Sequence, residues 1–113
     1  MAKVLVTAHI DVDPAKRDDV IRSAKPYIDG ALGQDGILFY TWSSDLENPA
    51  RIEVFEEWES EQALANHLAG PHYAAMAAHI GGAGITSAVS AKYLVSKEGP
   101  VYNAEGVATA DFD

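Results

Sequence analysis

Apolar residues recur at every second position through "KVLVTAHIDV", residues 3–12. Val4, Val6, Ala8, Ile10 and Val12 share one face; Lys3, Leu5, Thr7, His9 and Asp11 share the other. A period of two predicts a strand. The second face is mixed, so it is expected to meet another surface. After Asp13-Pro14 the period lengthens. Val20, Ile21, Ala24, Tyr27, Ile28, Ala31 and Leu32 form a helical stripe. Asp13 is expected to cap that helix, with Pro14 at its first position. Pro26 is internal and should bend or break it. Gly33 and Gly36 close the segment.

"ILFYTWSSD" and "RIEVFEEWE" are rich in aromatic and β-branched residues and predict two strands. The short "LENPA" turn makes them an antiparallel hairpin. In the second of these strands Ile52, Val54, Glu56 and Trp58 oppose Glu53, Phe55 and Glu57. The period alone leaves open which face of the first lines a pocket. Ser60 is a helix cap with Glu61 in the first turn, ahead of "EQALANHLA". Gly70-Pro71 interrupts, and Pro71 can open a further helical run, "HYAAMAAHI". "GGAG" ends that run, and "ITSAVSAKYLVSK" predicts a fourth strand.

Strand, helix, strand, strand, helix, strand is the split βαβ order of an α+β, ferredoxin-like βαββαβ fold with an antiparallel sheet. Both helical regions would cover one sheet face. The other face, with Leu5, His9 and Phe55, would be bare in a monomer, which predicts a homodimer of face-to-face sheets. Residues 1–96 read as one domain. Residues 97–113 read as a Gly- and Ala-rich tail, expected to dock on the partner subunit through Val101, Tyr102, Val107 and Phe112.

Composition narrows the function classes. The net charge of −9 and the pI of about 4.7 argue against binding a phosphate backbone. With no cysteine, disulfides, thiolate metal sites and cysteine nucleophiles are excluded. The N-terminus carries no signal-peptide pattern and no apolar run is long enough to span a membrane, so a cytoplasmic location is expected. No Ser lies in a nucleophile elbow, and "GGAG" lacks the Lys-Ser/Thr of a phosphate loop.

Glu56, Trp58, Ser60, His67, His72 and Tyr73 fall in a pattern that resembles the antibiotic biosynthesis monooxygenase family: an acidic residue two before Trp, a polar helix start, a His, then a His followed by an aromatic. "GQDGILFYTW" fits the same family's glycine-led second strand. The resemblance spans residues 3 to 96. It implies a dimeric α+β barrel and an activity ranging from quinol and polyketide oxygenation to haem degradation or sugar isomerisation. The haem-degrading branch implies an Asn, a Trp and an axial His where this chain has Ala8, His67 and Ala77, so haem is not expected as substrate.

His72, His67 and Glu56 are the catalytic candidates, with His72 the expected base or substrate-orienting group and His67, Glu56 and Trp58 in support. A histidine near neutrality can take a phenolic or enolic proton, and an electron-rich quinol once deprotonated can reduce oxygen directly. The bland alternative is that both histidines sit at the surface or at the helix break. Glu56 shares an apolar strand face, which is costly unless its carboxylate is bonded to a pocket His, a helix N-terminus, or Arg51 or Lys92. Trp58, Tyr40, Trp42, Tyr73 and Met76 are candidate substrate-binding residues, although aromatics at strand spacing are more often core. His79 lies two turns beyond His72, and no pair has metal-ligand spacing, so no metal is expected. The expected function is a cofactor-independent monooxygenase of a small aromatic or quinol-type substrate, bound between sheet and helices. The alternative is a non-oxidative isomerase or ligand-binding dimer of the same fold.

Overall fold

The computed structural model describes residues 2–112; Met1 and Asp113, the outer limits of the two expected segments, lie outside them. Strands β1 (Val4–Asp11), β2 (Ile37–Ser44), β3 (Arg51–Trp58) and β4 (Ser87–Leu94) form one sheet in the order β2-β3-β1-β4. Every neighbouring pair is antiparallel. The architecture is the ferredoxin-like α+β fold.

Each helical region is split in two. Helices α1 (Arg17–Ser23) and α2 (Lys25–Leu32) flank Ala24, with Pro26 in the first turn of α2. The proline's missing donor is harmless there and disruptive farther in, which is why one stripe becomes two helices. Asp13 does not cap α1. Lys16 stands at that position, while Asp13 accepts from the Ala15 amide at 2.9 Å and closes a turn ahead of the helix. Leu32, placed in the apolar stripe, is half exposed. The second region behaves as its sequence predicts. The Ser60 hydroxyl accepts from the Ala63 amide at 3.1 Å at the start of α3 (Glu61–Leu68). Pro71 opens α4 (Pro71–Gly81). Gly36 enters β2 at φ +84°, a conformation that disfavours a side chain.

Burial alternates cleanly along β3: Ile52, Val54, Glu56 and Trp58 are buried, and their neighbours only partly so. Registers extend that face to Val6, which opposes Glu56 on one side and Lys92 on the other. Tyr40 opposes Glu56 and Trp42 opposes Val54, so both aromatics face the helices. A bulge between Ile37 and Phe39 turns Phe39 to the outer face, where its ring meets Phe55 edge-on at 5.6 Å. Two apolar clusters fill the layer between sheet and helices, one around Ile52, Met76 and Ile80, the other around Trp58, Tyr40 and Leu64.

The helices do not reach across all four strands. Every residue of β4 is exposed, whereas its neighbour β1 is at least partly covered. The helix-facing side of the β1–β4 ladder is therefore open. Beyond β4 the chain forms a small arm, with a bridge between Tyr102 and Ala108 and a turn at Gly106. Val101, Tyr102, Val107 and Phe112 are exposed on it. No helix among the described residues is long and apolar enough to cross a membrane.

Candidate functional site

The open side of the ladder is roofed by α3 and the start of α4, which leaves a cavity of about 470 Å³. Val6, Ala8, Ile10, Val54 and Trp42 form its floor, Leu64, Leu68 and Tyr73 its roof, and residues 88–92 of β4 its outer wall. The walls are mainly apolar, with Glu56, Lys92, Tyr73 and Ser90 as the polar side chains. That is the character of a small-molecule site.

Glu56 is 8% exposed. Its Oε1 accepts from the Trp58 indole Nε1–H at 2.9 Å, within one strand and on one face. Side chains two apart on a strand point the same way, so the Glu-x-Trp spacing itself creates the pair. Burial pushes the Glu56 carboxyl above the ordinary glutamate value, and the indole bond draws it part of the way back. The partners that charge alone would suggest are not used. Arg51 forks onto Asp11, with Nε at 2.8 Å and Nη2 at 3.1 Å from its two oxygens.

His67 is sealed, 2% exposed, behind the pocket rather than in it. Its ring lies 4.7 Å from Trp58 and meets Tyr40 and Tyr73 edge-on at 5.8 Å. Nδ1 bonds Gln34 Oε1 at 2.6 Å, so Nδ1 carries the proton. Burial, and then the charge of nearby His72, hold its pKa below the usual histidine value. A neutral imidazole packed on an indole is a core component, not a surface group.

His72 turns the other way. It packs over Gly30 of α2, where any Cβ would overlap its ring, and it does not line the cavity. The next residue, Tyr73, does. His79 ties α4 to α1, with Nε2 at 2.9 Å from the Val20 carbonyl and 3.0 Å from the Ser23 hydroxyl. Trp58 and Met76 lie in the core beside the cavity, not on its surface. Burial pushes the Tyr40 phenol up to about 12, while the neighbouring Trp42 indole works the other way. That indole N–H is itself buried and makes no hydrogen bond of ordinary geometry among the described residues. No group of three or more His, Asp or Glu among the described residues could hold a metal ion. Of the positions that bear on haem degradation, Ala8 lines the cavity, His67 is sealed and Ala77 is exposed.

The geometry thus brings Glu56, Trp42 and Tyr73 to one cavity, backs them with Trp58, Tyr40 and His67, and leaves His72 outside. Lys92, named from the sequence only as a possible partner of Glu56, and Ser90 also line the cavity. Their signal was the alternation of β4 set against Val6, which needs a register to be used.

No curated protein matches the chain. Solved structures with the same fold include a Deinococcus radiodurans protein assigned by inference to the antibiotic biosynthesis monooxygenases. It is 18% identical, with 88% of this chain and 99% of that one covered at a TM-score of 0.79. A conserved Methanosarcina mazei Go1 protein is 25% identical over 82% of this chain and 92% of its own, at 0.74. A Mycobacterium tuberculosis protein is 22% identical over 90% and 98%, at 0.70. The family model for antibiotic biosynthesis monooxygenases matches residues 3–79, from β1 into α4 and including every residue of the Glu56-to-Tyr73 pattern. Because that match covers more than half of the chain, the chain belongs to the antibiotic biosynthesis monooxygenase family.

Proposed function

We propose that the chain is a cofactor-independent monooxygenase of a small aromatic or quinol-type substrate, bound in the cavity roofed by α3 and α4. Glu56 is the group that handles its proton. The observation that carries this reading is a buried carboxyl at the wall of an apolar cavity, held by one indole N–H. Burial that raises a carboxyl's pKa also makes its ionised form a stronger base, which suits removal of a weakly acidic proton.

The chemistry balances without a further reductant. Glu56 takes a proton from the substrate and leaves an electron-rich carbanion or enolate. That anion gives electrons to dioxygen, and the two combine as a peroxide. The proton returns from Glu56 to the peroxide. Loss of water, which takes the hydrogen left on the oxygenated carbon, leaves a ketone. One oxygen atom ends in the product and the other in water. Trp58 orients the carboxyl, and His67 supports Trp58 from behind with Tyr40 beside it. Trp42 and Tyr73 face the flat substrate. His72 lies outside the cavity, over Gly30, and is not assigned the proton.

The outer face, with Phe39, Val89 and Tyr93 exposed and Leu5 and Phe55 partly so, fits a second copy of the chain, so the working unit is a homodimer. A base in an apolar cavity also serves an isomerase. Oxygen uptake over a panel of anthrones and naphthohydroquinones, against a heat-denatured control, separates the two. Uptake that falls by roughly two to four orders of magnitude in Glu56→Gln is expected. Turnover without oxygen uptake would favour the isomerase.

A further inference from the structure

Two charged side chains face the cavity, and they flank one residue. Val6 opposes Glu56 across the β1–β3 ladder and Lys92 across the β1–β4 ladder. Their Cα atoms are thus two strand spacings apart, about 10 Å. That is roughly the length of a two-ring aromatic with a substituent at each end.

Lys92 differs from most of the chain's cations. Lys3 pairs with Glu57 and Glu98, Arg17 with Asp18, Arg22 with Asp19, Lys25 with Asp29 and Arg51 with Asp11. Lys92 makes no hydrogen bond or ion pair among the described residues, in a protein with a net charge of −9. Carboxylates are abundant, and Glu61 lines the hollow adjoining the cavity, yet among the described residues none comes within ion-pair distance of it. Its strand parity turns its stem to the helix side, where it lines both the cavity and a smaller adjoining hollow with Leu64, Leu68 and Leu94. A lysine stem on apolar surface with its ammonium free is an arrangement that can receive an anion.

We propose that Lys92 anchors an anionic group of the ligand, so that the site takes aromatic hydroxy acids, with the carboxylate at β4 and the reacting end at Glu56. This rests on the reading that the cavity binds the substrate. Charge then fixes orientation: a carboxylate at Lys92 is attracted, while the same group at Glu56 would meet a buried acid and apolar walls.

The probes are 6-hydroxy-2-naphthoic acid and its methyl ester, alike in shape and different in charge. Binding is read by calorimetry at pH 8 and low salt on the full chain. The acid is expected to bind at least about tenfold more tightly than the ester, with the difference shrinking as salt screens the pair. Lys92→Met should abolish the preference by weakening the acid alone, and Lys92→Arg should keep most of it. Equal binding of acid and ester by the parent overturns the anchor and leaves the cavity reading intact. A preference that survives in Lys92→Met also overturns it, since another group would then hold the charge. Binding of neither probe counts against the cavity reading and removes the anchor with it.

Discussion

The Trp58 indole N–H donates to the Glu56 carboxyl at 2.9 Å, and both residues belong to one face of β3. The bond needs no long-range assembly. It does need burial to matter, because in water the indole would compete with solvent for the same oxygen.

Trp58→Phe tests the positioning role. The ring volume is largely kept, but Glu56 loses its donor. A hydrogen bond to an ionised group contributes about 1.5–3 kcal/mol, so urea unfolding at neutral pH should show a loss near that size. The more telling readout is the pH–rate profile. Without the donor the carboxyl titrates higher, so the limb that reports Glu56 should move up in pH. A lower rate with an unmoved limb would assign Trp58 to packing alone.

Glu56 also sets the sign of one pH effect. Its folded-state pKa lies above the ordinary 4.5, chiefly through burial. Between those values the native state holds a proton that the unfolded chain has released. Stability is therefore expected to fall as pH rises from about 4.5 through the folded pKa. Glu56→Gln cannot ionise, so it should flatten that fall and be more stable than the parent at neutral pH, while losing turnover. Parallel stability curves for the two proteins would contradict this.

The fold was legible because its signals are local. β3 alternates, Ser60 caps, and Pro26 and Pro71 mark breaks where the backbone must comply. Glu56, Trp42 and Tyr73 were named from spacing and family pattern and line the cavity, while Trp58, named with them, lies in the core behind it. The placement of the histidines was not legible. His72 is one residue from Tyr73, yet a step of about 100° around a helix separates a wall of the cavity from the seam with α2. That angle depends on how α4 leaves the Gly70-Pro71 break, which no local pattern specifies. Lys92 was hidden for a related reason: its place opposite Val6 is a register, not a motif.

His67 has a pH signature opposite to that of Glu56. Burial holds its pKa below 6.5, so its full contribution is present above that value and is lost as pH falls through the folded pKa. His67→Gln should remove that acid-side decline. Gln34→Leu should cost stability at every pH, because it leaves Nδ1–H buried without an acceptor. Thermal midpoints from pH 4.5 to 8 distinguish the two variants.

Gly30 and His72 are expected to be coupled. An alanine at an ordinary helix position gains up to about 1 kcal/mol over glycine. At Gly30 the new methyl would overlap the His72 ring, so Gly30→Ala should destabilise instead. His72→Ala makes room, and in that background Gly30→Ala should turn neutral or favourable. His72→Ala alone should keep near-parent turnover. A loss of two or more orders of magnitude there would return the proton-handling role to His72.

Assembly supplies the last test. The outer sheet face carries Phe39 at 48% exposure, edge-on to Phe55, with Val89 and Tyr93 exposed across the sheet. The arm beyond β4 exposes Val101, Tyr102, Val107 and Phe112, while its root is fixed by Lys3, whose Nζ lies 2.8 Å from Glu98. A sheet face and an arm that both leave large apolar side chains uncovered are satisfied together if two copies pack face to face and each arm lies on its partner. Sedimentation at micromolar concentration should give about twice 12.1 kDa. Phe39→Glu places a charge in the expected interface and should shift the population to monomer. Truncation after Lys97 leaves the sheet face intact, so it should raise the dimer dissociation constant without abolishing the dimer. An unchanged constant would show that the arm does not hold the partner. A monomeric parent would show that the outer face serves some other surface.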